Sequence, residues 1–191
     1  MTPDQTWPCR HTPGAGTFDE SARRASHQEL AVARVLQSEG HDVRTVAERR
    51  GARTPDLVAC GASVEVKSFQ TLAERQGRPP SAEKVANKLL DARGQGAIAI
   101  VSAEGSGLGA ATARAGYGLF CDRAASTGLG KVRAVRILGD GFDMSFKAVP
   151  DVRLARQALR SAARPASEPV RPVRAAATTP AGARPGLQPA V

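Results

Sequence analysis

Residues 53–69 constrain the fold of this chain more than any other stretch. Two apolar runs, 57–60 and 64–66, flank the dipeptide Gly61-Ala62. Glycine at the first central position is typical of a type II′ turn, which joins adjacent antiparallel strands. The pattern therefore predicts a β-hairpin with a two-residue loop.

The register of this hairpin predicts which side chains meet. With Gly61-Ala62 as the loop, Asp56 pairs with Lys67 and Val58 pairs with Glu65. Directly paired residues share a face, as do residues two apart in one strand. Asp56, Glu65 and Lys67 are thus predicted to converge on one face, while the apolar residues between them point to the other.

Two carboxylates beside an ammonium suit phosphodiester hydrolysis. Carboxylate oxygens are ligands that Mg²⁺ prefers, and a bound metal polarises phosphoryl oxygens and activates water. An ammonium can orient that water or stabilise charge in the transition state. The same trio on an exposed sheet face is instead an ordinary solvated salt-bridge cluster.

The charge of the chain favours a polyanionic partner. The net charge is +9, of which +5 falls in residues 19–159 and +4 in residues 160–191. Such a protein attracts nucleic acid by counterion release and electrostatic steering. The arginine and alanine richness of the tail is equally explained by a GC-rich genome.

The cellular setting is predicted from what the sequence contains. Three cysteines, Cys9, Cys60 and Cys121, lack the spacing of a disulfide framework or a zinc site. The N-terminus lacks the charge and apolar pattern of a signal peptide, and no apolar run reaches membrane-spanning length. These features predict a cytoplasmic protein with no membrane partner.

The pattern along the chain predicts a mixed α/β fold in one domain. Residues 1–16 read as a flexible arm, 17–163 as the folded domain, and 164–191 as a disordered tail rich in Pro, Ala and Arg. Thr17 and Glu20 match a capping box that opens the first helix. An alanine-rich helix is expected to be interrupted near Gly116. Further helices are predicted over 17–39, 81–93 and 150–163, and strands over 41–47, 97–102, 132–138 and 142–147.

The central motif resembles a known signature. Pro55-Asp56 followed by Glu65-Val66-Lys67 is similar to the motif of the PD-(D/E)xK nuclease superfamily. The resemblance implies a restriction-endonuclease-like core, a central mixed β-sheet flanked by helices. It also implies Mg²⁺ or Mn²⁺ bound by Asp56 and Glu65, catalysis by Lys67, and support from Glu29 on the preceding helix. On the helix pattern alone, Glu29 is equally well read as a solvent-facing residue.

The likeness extends over about residues 29–147. The order of E-L-A-x-A, T-P-D-L-x-x-x-G-x-x-x-E-V-K-S and V-x-x-V-x-I-x-G-D-G is similar to the C-terminal tRNA nuclease domain of contact-dependent growth inhibition (CdiA) toxins. This implies a metal-dependent nuclease acting on tRNA first and DNA second, with a cognate immunity protein. Lys84 and Gln95 are candidates for substrate phosphate contacts, or else plain helix and loop residues. A nucleic-acid-binding module without catalysis stays open, as does the oligomeric state.

Overall fold

A seven-stranded mixed sheet organises residues 13–128 and 130–147, which are the residues that the computed structural model describes. The strands lie in chain order across the sheet. Parallel pairs join β1 to β2, β4 to β5 and β5 to β6, and the other pairs are antiparallel. The strands are β1 (Phe18–Asp19), β2 (Val43–Thr45), β3 (Leu57–Ala59), β4 (Ala62–Ser68), β5 (Ile98–Ala103), β6 (Ala134–Gly139) and β7 (Phe142–Lys147).

Three helices cover the two faces of this sheet. Helix α1 (His27–Ser38) packs on one face, and its buried residues include Val32 and Leu36. Helices α2 (Ala82–Ala92) and α3 (Ala110–Thr127) pack on the other, around Leu89 and Phe120. The predicted mixed α/β sheet flanked by helices is confirmed. The last predicted helix, the tail and most of the arm lie outside the described residues.

The predicted start of the first helix is wrong. The helix begins at His27, after a capping box in which the Ser26 hydroxyl accepts from the Glu29 backbone and the Glu29 carboxylate accepts from the Ser26 N–H. The Thr17 hydroxyl donates to the Asp42 carboxylate instead, where the short strand β1 pairs with β2. Of two boxes with acceptable spacing, the helix uses the one that directly precedes its apolar face.

Helix α3 is continuous, although an interruption near Gly116 was expected. A Cβ atom at Gly116 would lie 2.5 Å from Cβ of Val85 and 2.8 Å from the Ala82 carbonyl oxygen. The glycine therefore permits close approach of α2 and α3, and the packing offsets its intrinsic cost within a helix.

The predicted hairpin register is also wrong, by two residues. The loop is Cys60-Gly61, with φ angles of +48° and +80°, the pattern of a type I′ turn. Val58 consequently pairs with Ser63, so the expected pairs of Val58 with Glu65 and of Asp56 with Lys67 do not form. A slip of two residues leaves every side chain on its predicted face, because faces alternate with a period of two.

Candidate active site

Glu65 and Lys67 stand two apart on β4 and point to the face that α2 and α3 cover. Their register partners in β5, Ala99 and Val101, belong to the core beneath those helices. The Lys67 Nζ lies 2.6 Å from Oε1 of Glu65. The Lys67 side chain is 22% exposed and the Glu65 side chain only 1%, so the ammonium reaches solvent while the carboxylate stays inside.

Asp56 reaches the same place from the other strand. Continuing the observed register by one residue sets Asp56 opposite Glu65. The Oδ2 atom of Asp56 accepts a 2.8 Å hydrogen bond from the Val66 N–H, which fixes the carboxylate beside β4. The structure thus brings Asp56, Glu65 and Lys67 together; their roles in catalysis and metal binding stay predictions.

The environment of Glu65 opposes its ionisation. Burial is the largest cause, and together with the Asp56 carboxylate it raises the pKa of Glu65 to about 7, although the bond from Lys67 acts in the opposite direction. Burial also raises the pKa of Asp56. Within the described residues, Oε2 of Glu65 is a buried polar atom without a hydrogen-bond partner. An unsatisfied buried carboxylate oxygen is costly, and a bound water or cation is among the groups that satisfy such an atom.

Glu29 lies beside this cluster but is held by other groups. Its carboxylate accepts two hydrogen bonds from Arg23, of 2.8 and 2.9 Å, and one from the Ser26 N–H. Burial alone would raise the pKa of Glu29, but these bonds outweigh it and lower the pKa to about 2. Glu29 also interacts with Asp56, so it lies next to the predicted metal ligands; its supporting role stays a prediction.

Arg23 is a residue of this site that the sequence did not reveal. Besides Glu29, its guanidinium donates to the backbone carbonyls of Val46 and Asp56, and one nitrogen lies 3.7 Å from Oδ1 of Asp56. Arg23 therefore connects the loop before α1 to the residue that precedes β3. The Ser26–Glu29 capping box is the signal that could have found it, since it shows that Arg23 lies in the loop before α1.

Gly96 shapes the site from behind. A Cβ atom there would lie 2.7 Å from the Glu65 backbone nitrogen and 3.1 Å from its Cβ. Only glycine allows the chain entering β5 to pass so close to β4. The neighbouring Gln95, a predicted substrate contact, lies in the turn after α2, where its N–H donates to the Ala92 carbonyl.

The donor set fits a small divalent cation. In the part of the chain that the structure describes, no group of three or more His, Cys, Asp and Glu side chains could hold a metal ion. Mg²⁺ commonly needs only one or two carboxylates, with water and substrate phosphate as the other ligands. Asp56 and Glu65 supply two carboxylates, and the unpaired Oε2 of Glu65 is an available oxygen ligand.

A cleft of about 280 Å³, lined mostly by residues with polar side chains, opens at Ser68, the residue after Lys67. It lies between the end of β4 and the polar side of α2, and Lys84 is among its lining residues. Gln95, by contrast, is not part of the cleft lining, so the two predicted phosphate contacts are in different places.

None of the helices in residues 13–128 and 130–147 combines the length and the hydropathy of a membrane span.

The fold and cluster define an α/β protein with a buried acidic site beside a lysine. No protein family and no curated protein matches the chain. Among solved structures, it is similar to a CdiA-CT/CdiI toxin and immunity complex from Burkholderia pseudomallei, with 15% sequence identity and a TM-score of 0.41. The match covers 69% of this chain and 99% of that chain.

Proposed function

We propose that this protein is a metal-dependent phosphodiesterase that cuts nucleic acid. The observation that carries the proposal is the buried Glu65 carboxylate, which has one oxygen paired with Lys67 and the other without a partner. A purely structural ion pair would satisfy both oxygens, because leaving one unpaired costs about 1–3 kcal/mol.

Each residue has a role that follows from its position. Asp56 and Glu65 would hold Mg²⁺ or Mn²⁺, and the Val66 N–H keeps Asp56 in place. A bound metal supplies polarisation of the phosphoryl oxygen and a more acidic water. Lys67, more exposed than Glu65, is positioned to donate to the attacking water or to the phosphate oxygens as negative charge develops. Arg23 and Glu29 hold the Asp56 side of the site in position.

The substrate proposal is tRNA first and DNA second. It is supported by the order of sequence motifs over residues 29–147, which resembles the tRNA nuclease domain of CdiA toxins, and by the net charge of +9. A toxin of that kind is paired with an immunity protein, so a small acidic partner belongs to the same proposal.

The test is a cleavage assay on purified full-length protein. Total tRNA, duplex DNA and branched DNA are incubated with Mg²⁺, with Mn²⁺, or with EDTA. Cleavage is expected only with metal. Lys67→Ala and Asp56→Asn should each reduce it by about 10²–10³-fold, the usual cost of removing a group that stabilises the transition state. Lys131→Ala removes the same charge as Lys67→Ala at an exposed position and should change little.

Two results would reject the mechanism. Cleavage that persists in EDTA excludes a metal-dependent reaction, and a Lys67→Ala variant with full activity excludes the role of the lysine. Binding of intact substrate without cleavage, weakened by salt but not by Asp56→Asn, would instead indicate a binding module without catalysis.

A further inference from the structure

The cleft begins at Ser68, the residue after Lys67 of the proposed active site. Phe69 is the first residue after β4, two positions beyond Lys67 and about 7 Å further on, and it packs against the core on the face to which Lys67 points. Phe69 lines the cleft. If the scissile phosphate lies at Lys67, the adjoining nucleotide of the substrate strand lies within reach of the cleft.

The charges in the cleft match a phosphodiester backbone. Three cations line it, Arg75, Lys84 and Lys88, against one carboxylate, Asp91. Neither Lys84 nor Lys88 forms an ion pair with another residue in the described part of the chain. Unneutralised lysines that face one cleft favour phosphate over a neutral ligand.

The remaining lining groups match a base rather than a second phosphate. Gln70, Asn87 and Asp91 provide amide and carboxylate groups, which can donate to and accept from the edge of a base. The Oδ1 of Asn87 already accepts from Arg123, which orients this amide. The Lys88 ammonium lies 5.9 Å from the centre of the Phe69 ring. Cations, hydrogen-bonding groups and an aromatic ring thus meet in one small space.

The size of the cleft favours an unpaired nucleotide over a duplex. A volume of about 280 Å³ is at the lower end of ligand pockets, suited to a single small unit. In a duplex the pairing edges of the bases are occupied, whereas an unpaired base can enter a pocket and be read on its edge.

We propose that this cleft binds one unpaired nucleotide of the substrate strand, next to the phosphate at Lys67. Lys84, Lys88 and Arg75 contact the flanking phosphates, while Asp91 and Asn87 contact the base. The inference rests on the proposed function for the identity of the neighbouring phosphate. The enzyme is accordingly specific for single-stranded loops, ends or branch points rather than continuous duplex.

Binding in EDTA tests this inference separately from catalysis. Fluorescence anisotropy of the full-length protein is measured with a labelled single-stranded oligonucleotide and with a blunt duplex of the same sequence. Wild type should bind the single strand at least tenfold more tightly. The double variant Lys84→Ala/Lys88→Ala should weaken single-strand binding about tenfold and reduce the slope of log affinity against log salt by about 1.4, as expected for two lost phosphate contacts.

Two further variants separate the cleft from general electrostatics. Arg34→Ala/Arg114→Ala removes two exposed cations from α1 and α3, outside the cleft, and should leave the preference for single strands unchanged. Asp91→Asn should change the order of affinities for homopolymer single strands. It should not reduce the slope of log affinity against log salt, because it removes no cation.

The outcomes are distinct for the two proposals. Equal affinity for duplex and single strand, no binding of either, or a lysine double variant that behaves like the arginine control overturns the cleft assignment, whatever the cleavage assay gives. Selective binding by the cleft together with a wild-type protein that never cleaves overturns the proposed function and leaves the cleft assignment intact.

Discussion

Within residues 13–128 and 130–147, Arg136 and Glu65 are two buried charged side chains whose pairing differs. Arg136, on the α1 face of the sheet and 5% exposed, is paired with both Glu39 and Asp143. Glu65, on the α2 face and 1% exposed, is paired through one oxygen only. Both carboxylates that pair with the buried Arg136 are partly exposed to solvent. One oxygen of the buried Glu65 carboxylate, by contrast, has no hydrogen-bond partner among the described residues.

The difference matches a structural role for the Arg136 cluster and the functional role that we propose for the Glu65 cluster. Pairing with Glu39 and Asp143 outweighs burial and raises the pKa of Arg136, so its charge is secure in the folded protein. Burial raises the pKa of Glu65 to about 7, so its charge is unstable without a further cation. Strongly perturbed groups of the second kind gather at functional sites.

The largest effect on stability is expected at Arg136. Replacing both acids, Glu39→Gln with Asp143→Asn, removes the two carboxylates that pair with the buried Arg136 guanidinium and should lower the free energy of unfolding by about 3–5 kcal/mol. Urea denaturation followed by circular dichroism measures this. Glu83→Gln is the control, because it breaks the exposed ion pair with Arg123 and should cost less than about 1 kcal/mol. Equal losses in the two variants would contradict the structural role.

Neutralising Glu65 should raise the free energy of unfolding, not lower it. Its pKa is about 7 in the folded protein and ordinarily 4.5, so the folded state binds the proton more tightly. Without metal, stability therefore falls as the pH rises from about 4.5 to 7, by about 3 kcal/mol in total. Glu65→Gln should remove this slope and be more stable than wild type at pH 8, while Glu104→Gln, at an exposed position, should keep the slope. A slope unchanged in Glu65→Gln would assign the titration to another group.

Arg23 gives a smaller effect in a different pH range. Its bonds hold the pKa of Glu29 near 2, below the ordinary 4.5, so this contribution to stability is present above pH 4.5 and is lost as the pH falls towards 2. Arg23→Gln should cost about 1–3 kcal/mol at neutral pH and flatten the unfolding profile on the acid side. Arg24→Gln changes the same charge at the exposed neighbouring position and should do neither. Acid titrations of Arg23→Gln and Arg24→Gln, followed by unfolding, measure this difference.

The sequence predicted the face of each site residue but not the contacts between them. The hairpin faces survive a wrong register because alternation has a period of two, so Asp56, Glu65 and Lys67 meet even though their pairings differ. The predicted turn is wrong because Cys60 has a positive φ, which few residues other than glycine adopt. A cysteine in the sequence gives no indication of such a backbone conformation.

Other features depend on contacts between distant segments. In the sequence, Gly116 indicates a helix break, and only its contact with Val85 on another helix shows why it is tolerated. Strand β1 has two residues, too few for a periodic pattern. Arg23 contacts Glu29, Val46 and Asp56, which no local pattern joins. The burial of Glu65 likewise follows from the helices above it, so its raised pKa was not predictable from the motif.

Calorimetric titration of Mn²⁺ into metal-free protein near pH 7 decides whether Asp56 and Glu65 form the divalent cation site that we propose. One equivalent should bind with release of protons, seen as a dependence of the binding heat on buffer ionisation, because Glu65 must lose its proton to become a ligand. Glu65→Gln should abolish this binding, and Glu104→Gln should preserve it. Wild-type protein that binds no metal, or a Glu65→Gln variant that binds it equally well, would contradict the account.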